Sequence, residues 1–359
     1  MSEPIFIARQ DTLEQEILPA HWLAQYKLFG EESYTFQDKG IWKKLCMSRA
    51  AANDRDMHAE ALEEMLTTFS AEHTGKWMLL VYGMDAAALE GLATMAAIAE
   101  SGTAMGAVAG NALLMHAIAN SETAMQRIAN SQTAMQRVAN NRGAMDAIGR
   151  SRIARDAVQA SPYYNSYIKE NDMAIAKLVV GFANLESAGY SGCAGMAADS
   201  TAMTAVAASS TAMTAVAASG VALKAIAQAY KNTANMLQFL KAVNASDTLI
   251  KRIYNTLTNA TALFGTAQLG GQDSVADANK WATTSAAPNA FLACACGYYN
   301  SGGASVDVTY NGTAIAQNKT GTRQPGSVTS TNVNAITMAP STFTENGDGW
   351  LAVQKFTVK

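Results

Sequence analysis

The stretch SETAMQRIANSQTAMQRVAN, residues 121–140, says one ten-residue phrase twice, and that period constrains the fold more than any other feature of the chain. Aligned on its small first position, the phrase runs without insertion through units opening at Gly91, Ser101, Asn111, Ser121, Ser131, Asn141 and Ser151. Slot five holds Met95, Met105, Met115, Met125, Met135 and Met145, then Arg155. Slot eight holds Ile98, Val108, Ile118, Ile128, Val138, Ile148 and Val158. The phrase returns at 199–218 with Met203, Val206, Met213 and Val216 in the same slots, then as SGVALKAIAQ, and a degenerate unit starts at Gly189.

A strand would put slots five and eight on opposite faces. A continuous helix falls roughly 80° short of three full turns in ten residues, so the methionine stripe would wind around it and bury against nothing in particular. Short helices broken at every unit boundary satisfy the pattern. Ser or Asn at slot one suits an N-cap, and Asn120, Asn130 and Asn140 at slot ten are expected to end their helices in the left-handed conformation. Slots four, five, eight and nine then share one buried face, with Gln126 and Arg127 pointing away. Two-turn helices do not hold alone, so the units must stack, within one chain or between parallel chains. The rival arrangement is a pair of long alanine-rich helices in a bundle, which a Gly- or Asn-marked boundary every ten residues would damage.

The rest of the chain divides around this repeat. Residues 1–80 read as a helical docking domain, with a capping-box pattern at Asp11 and Glu14 and the tryptophans Trp22, Trp42 and Trp77 as contact anchors. The first array is assigned to 81–160, a helical insert to 161–188, the second array to 189–228 and a helical connector to 229–264. From 265 to 359 Gly, Asn, Ser and Thr rise and strand patterns appear. SVDVTYNGTAIAQ signals a hairpin turning at Asn311-Gly312, and NAITMAPSTFT and WLAVQKFTVK add strands. The expected fold is therefore mainly α with a C-terminal all-β domain, a small antiparallel sandwich or barrel.

No residue set amounts to a catalytic, cofactor or metal site. The histidines His21, His58, His73 and His116 fall at no ligand spacing, and His116 occupies a solvent-facing slot. Cys294 and Cys296 read as small buried residues, and GYSGCAG at 189–195 has the wrong glycine spacing for a nucleophile elbow. A net charge of −3 argues against a nucleic-acid or anionic-membrane footprint. The uncharged run Ser200–Leu223 is long enough to span a bilayer, but Ser and Thr interrupt it, and no span is expected. The opening residues MSEPIFIARQDTLEQEIL carry no basic-then-apolar leader pattern, so assembly in a reducing cytoplasm is expected. Tyr298, Tyr299, Tyr310, Arg323 and Trp350 are the candidates for an outward-binding surface.

The SxTAMxAIAN-type units at 101–150 and 199–228, followed by a Gly/Asn/Thr-rich end, resemble fibre and appendage proteins of tailed bacteriophages. The resemblance covers most of the chain in style and carries no diagnostic motif. It implies a non-enzymatic virion protein, often trimeric, assembled in the bacterial cytoplasm. Such a protein is anchored to other virion proteins through its N-terminal part and meets a host glycan, an outer-membrane protein or a virion neighbour through its C-terminal part. The rivals are a bacterial repeat scaffold or surface-interaction protein, and a fibre-borne glycan-degrading enzyme, which needs paired carboxylates in a cleft.

Overall fold

Alanine-rich ten-residue units make short helices because each carries its own start signal. The computed structural model describes residues 95–229, 233–273, 280–283, 290–298, 303–323, 327–338, 341–347 and 349–359, apart from a few side chains within these spans. The N-terminal helical domain expected over 1–80, with Trp22, Trp42 and Trp77, lies outside them. The described residues fall into two compact units, one up to Ile168 and one from Lys169 to Lys359.

In the first unit the helices are α1 (Met95–Glu100), α2 (Gly102–Gly110), α3 (Ala112–Ala119), α4 (Glu122–Ala129), α5 (Gln132–Ala139), α6 (Arg142–Arg150), α7 (Arg152–Ala160) and the short α8 (Tyr164–Tyr167). One extended residue makes each corner. Ser101, Ser121, Ser131, Asn141 and Ser151 all have φ between −112° and −87° and ψ between 112° and 126°, and each side chain accepts a hydrogen bond from the amide three residues on. The left-handed asparagines expected at slot ten do not form: Asn130 and Asn140 have φ of −91° and −94°. The extended slot-one residue already turns the chain. The slot-ten side chains serve the helix end instead, with Asn120 Nδ2 donating to the His116 carbonyl at 3.0 Å and Asn140 Nδ2 to that of Gln136 at 2.9 Å.

Each helix packs on the one three places along the chain: α1 on α4, α2 on α5, α3 on α6 and α4 on α7. The stack is thus a three-sided coil of thirty residues per turn, closed within one chain. Serine hydroxyls tie its turns together. Ser131 Oγ donates to the Ala99 carbonyl at 2.7 Å, Ser151 Oγ to Ala119 at 2.5 Å and Ser161 Oγ to Ala129 at 2.5 Å, every bond reaching back 32 residues. A serine hydroxyl has one proton and two lone pairs, so the same oxygen caps its own helix and bonds the turn before it. Slots four, five, eight and nine form the core. Met105, Met115, Met125, Met135, Met145, Ile118, Ile128, Val138 and Ile148 are all fully buried. Arg155, in the methionine slot of the last unit, is also buried and donates from Nη1 to the Gly149 carbonyl at 2.7 Å.

The second unit repeats the arrangement with α9 (Asp172–Phe182), α10 (Cys193–Ala198), α11 (Ser200–Ala208), α12 (Ser210–Ala218), α13 (Gly220–Gln228), α14 (Thr233–Asn244) and α15 (Asp247–Asn259). Here α9 packs on α12, α10 on α13, α11 on α14 and α12 on α15. Two stretches read from the sequence as an insert and a connector thus supply stack members. Asn171 caps α9 as the other slot-one residues cap theirs, and α14 and α15 extend the coil with longer helices. The uncharged run at 200–223 is divided, α11 and α12 meeting at 104°, and no single described helix is long and apolar enough to cross a membrane. Met203, Val206, Met213 and Val216 are buried in this second core. Gly192 sits where any Cβ would collide with the Asp172 carboxylate, which accepts from the Cys193 amide at 3.1 Å.

After α15 the chain enters two sheets. The first has strand order β1 (Phe264–Asp273), β9 (Gly349–Val358), β3 (Ala290–Tyr298) and β6 (Thr322–Arg323), with β7 (Ala335–Met338) also paired to β3. The second has order β2 (Lys280–Thr283), β8 (Ser341–Gly347), β4 (Ala304–Tyr310) and β5 (Thr313–Thr320). Pairing is antiparallel except between β3 and β6. The β4–β5 hairpin turns at Asn311 and Gly312, with φ of 48° and 78°, the left-handed pair that a tight two-residue turn requires. β4 packs against β3, β7 and β9, so the sheets face one another, while α14 packs against β7 and against β5 of the second sheet and α15 against β7 and β1.

The ladder gives a test. Ser131→Ala removes a helix cap and leaves the buried Ala99 carbonyl without its donor, so it should cost about 2 kcal/mol or more. The exposed Gln136→Ala should stay within about 0.5 kcal/mol. Chemical denaturation of the two variants checks the difference, and equal midpoints would remove the ladder from the fold.

Candidate functional site

Alternation on β4 and β8 builds one polar face. Along β4, Ala304, Val306, Val308 and Tyr310 are buried toward the first sheet, while Ser305, Asp307 and Thr309 are half-exposed on the other side. Along β8, Ser341, Phe343 and Glu345 are buried and Thr342, Thr344 and Asn346 are half-exposed. Register places Ser305 opposite Asn346, Asp307 opposite Thr344 and Thr309 opposite Thr342. The outer face of the second sheet is therefore a patch of hydroxyls, amides and one carboxylate. Its centre is held in place: Asp307 accepts from the Asn318 amide at 2.6 Å and from Asn346 Nδ2 at 2.9 Å. Asn318 sits in the left-handed region, φ 50°, at the irregular part of the β4–β5 pairing. None of these side chains stood out in the sequence, although the alternation in SVDVTY and STFTEN would have picked out the outward row.

The candidates chosen for their aromatic or basic character are placed differently. Tyr298 and Arg323 are partners in the parallel β3–β6 pairing, the first half-buried and the second exposed, so these two share one strand end. Tyr310 and Trp350, expected on the outward surface, are buried at 2% and 6% exposure. Tyr310 alternates toward the first sheet, whereas Trp350 pairs with Gly297 on the same face of the first sheet as Phe291 and Phe356. Burial also holds the Tyr310 hydroxyl above its ordinary range. Tyr299 lies outside the described residues.

The thiols belong to the core. Phe291 faces α14, where its ring meets Phe239 at 6.5 Å, so Cys294 and Cys296 point from β3 to the opposite side, between the sheets. Both are fully buried. Burial pushes the Cys296 thiol up to about 12, helped by the nearby Glu345 carboxylate, and raises Cys294 further. Cys193 is buried beside Asp172 and raised in the same way, its thiol donating to the Asp172 carbonyl at 3.4 Å. His116, half-exposed in slot six, takes a side-chain bond from Asn120 at 3.1 Å. Among the described residues no three His, Cys, Asp or Glu side chains converge as a metal site would require.

Two buried side chains fasten the sheets to the coil, beside the exposed pair of Lys319 Nζ on β5 with Asp247 Oδ1 on α15 at 3.0 Å. Asn244, at the end of α14 and 2% exposed, donates from Nδ2 to the Ile336 carbonyl at 2.7 Å and accepts from the Ile336 amide at 3.1 Å. Its carboxamide thus pairs with β7 as a neighbouring strand would. Tyr254 on α15 donates to the Val328 carbonyl at 2.8 Å and meets Gln354 Oε1 at 2.9 Å, with its ring edge-on to Phe356 at 5.7 Å.

No protein-family model matches the chain, and no curated protein is similar to it.

Cysteines this deep and this far above ordinary thiol acidity are inert, because the thiolate is the reactive form. Treatment of the folded protein with iodoacetamide at pH 8 should leave Cys193, Cys294 and Cys296 unmodified by peptide mass mapping, and all three should react after unfolding. Rapid native labelling at Cys294 or Cys296 would show that the sheets do not close over them.

Proposed function

We propose that the protein is a non-catalytic structural component of a tailed-bacteriophage virion, a fibre or appendage. In this reading residues 1–80 dock to other virion proteins, the repeat coil spaces the two ends, and a C-terminal β-sandwich contacts the host surface or a neighbouring virion protein. A homotrimer follows from the resemblance to such fibres. The observation that supports the reading best is the Asn244–Ile336 fastening, with Tyr254 beside it. A contact module of a spacer protein must not swivel on its support. Here the buried amide of the last coil completes the hydrogen bonding of a strand, so the sheets and the coil from Lys169 onward move together.

The polar outer face of the second sheet suits a hydrated partner such as a host glycan, since Ser, Thr, Asn and Asp offer both donors and acceptors. The coil itself is spent on cohesion. Its serines cap and tie, and its methionines and alanines pack.

Two truncations in a phage assembly assay test the polarity. Deleting 265–359 should give particles that incorporate the protein but attach to cells at least about ten-fold less efficiently, the loss expected when the main contact energy is removed. Deleting 1–80 should abolish incorporation. Incorporation that needs 265–359 and ignores 1–80 would reverse the assignment of the ends.

A further inference from the structure

The last turn of the coil in the second unit holds an open groove of about 930 Å³. Its floor is apolar: Ala218, Val221, Ala262 and Leu263 are left at least partly exposed there. One wall is the outer face of α15, where Thr248, Lys251, Arg252, Asn255 and Asn259 follow one another at helical spacing. The other is formed by Lys169 and Glu170. Such a volume is that of a ligand site rather than a packing defect.

The charges around the groove divide into committed and uncommitted groups. The Glu170 carboxylate accepts from the amides of Gly220 and Val221, both at 3.2 Å, and lies 3.8 Å from Lys169 Nζ. It is thereby used at the start of α13. Gly220 leaves room for this arrangement, since a Cβ there would press on Leu263, Ala260 and Glu170 at 3.0–3.3 Å. The side chains of Thr248, Lys251, Arg252, Asn255 and Asn259, by contrast, make no hydrogen bond or ion pair among the described residues. On a chain with net charge −3, this wall offers two uncompensated cations over exposed aliphatic surface.

We infer that this groove is a docking site for an extended acidic segment of a partner protein, with aliphatic residues between its carboxylates. Charge complementarity selects the acids, for Lys251 and Arg252. The floor selects the aliphatic side chains, because aliphatic groups line it and no aromatic ring does, which gives a sugar ring or a base nothing to stack on. Spacing selects the extended backbone. Side chains four apart on a helix stand about 6 Å apart along its axis, close to the ~6.6 Å between alternate residues of an extended chain. Thr248 with Arg252, Lys251 with Asn255, and Asn255 with Asn259 all have that separation. Each asparagine presents a donor and an acceptor, the same pair a peptide unit carries and must satisfy when covered. None of this depends on the virion assignment.

A random dodecapeptide library selected on the full-length immobilised protein tests the proposal directly. Enriched sequences should carry at least two acidic residues alternating with aliphatic ones. Their affinity should fall about ten-fold or more in the Lys251→Glu/Arg252→Glu protein, where like charges meet, and about as far in Asn255→Ala/Asn259→Ala, which keeps the charge. The exposed Lys241→Glu on α14 should leave binding unchanged, and equal melting temperatures establish that the variants are folded. Selection that enriches nothing over the Lys251→Glu/Arg252→Glu protein, or peptides that bind both proteins equally, would overturn the inference. So would a uronic-acid oligosaccharide that binds through the same residues and displaces the selected peptides, since the groove would then belong to glycan.

Discussion

The hydroxyl of a corner serine holds the coil together. In Ser131, Ser151 and Ser161 a single oxygen accepts from an amide two or three residues on in its own helix or turn and donates to a carbonyl 32 residues earlier. Two-turn helices have too few internal hydrogen bonds to repay their own nucleation, so each depends on the turn beneath it. The ladder also accounts for the period. One corner residue and eight or nine helical ones make a side, three sides return the chain to its starting edge, and the serine meets its carbonyl only if the count is kept. Small buried side chains follow from the same demand, because a hydroxyl reaches across turns only where backbones come close. Ser121, Ser131, Ser151 and Ser219 are all nearly or fully inaccessible to solvent.

Much of this was legible in the residues. The slot pattern identified the buried face of the repeat helices and their slot-one caps, since both depend on interactions within ten residues, except in the degenerate unit at Gly189, whose helix starts only at Cys193 without a side-chain cap. The number of helices per turn was also written in the chain, though it is easily passed over. Asn replaces Ser at slot one in Asn111, Asn141 and Asn171, thirty residues apart, and the first two mark one corner of the coil in the first unit. Asn171 caps α9 of the second unit in the same way, although Ile175 stands in the methionine slot there and Lys177 disturbs the alanine background. Lys177 is fully buried, and its Nζ donates to the Ser187 carbonyl at 3.1 Å, pinning the loop that follows α9. Residue identity alone gave no hint of that contact across ten residues.

The β region was read well where pattern is local and less well where it is not. The Asn311-Gly312 turn and the strands around it follow from turn chemistry and alternation. β3 does not alternate, because helices cover one of its faces and the second sheet the other; AFLACACGY is simply small and apolar throughout. Aromatic character misled the search for an outward surface. Tyr310 is a large inward residue of the second sheet, Trp350 is buried on the Phe291 side of the first, and the outward row of the second sheet consists of short polar side chains. The groove beside α15 was invisible for a different reason: its walls come from Lys169–Glu170 and from a helix some eighty residues later.

The coil and the sheets therefore share one logic, in which side chains complete backbone hydrogen bonding at a distance: serine for the turns of the coil, Asn244 for the edge of β7. The ladder is the part on which everything else rests, and dipolar electron paramagnetic resonance between spin labels at the exposed positions Gln126 and Asp156 tests it most directly. These residues occupy slot six of units thirty residues apart and line one shallow surface depression together. A three-sided coil predicts strong short-range coupling, with backbones about 10 Å apart as in packed neighbouring helices. A separation near the ~45 Å that thirty residues span in continuous helix would contradict the coil and, with it, the serine ladder.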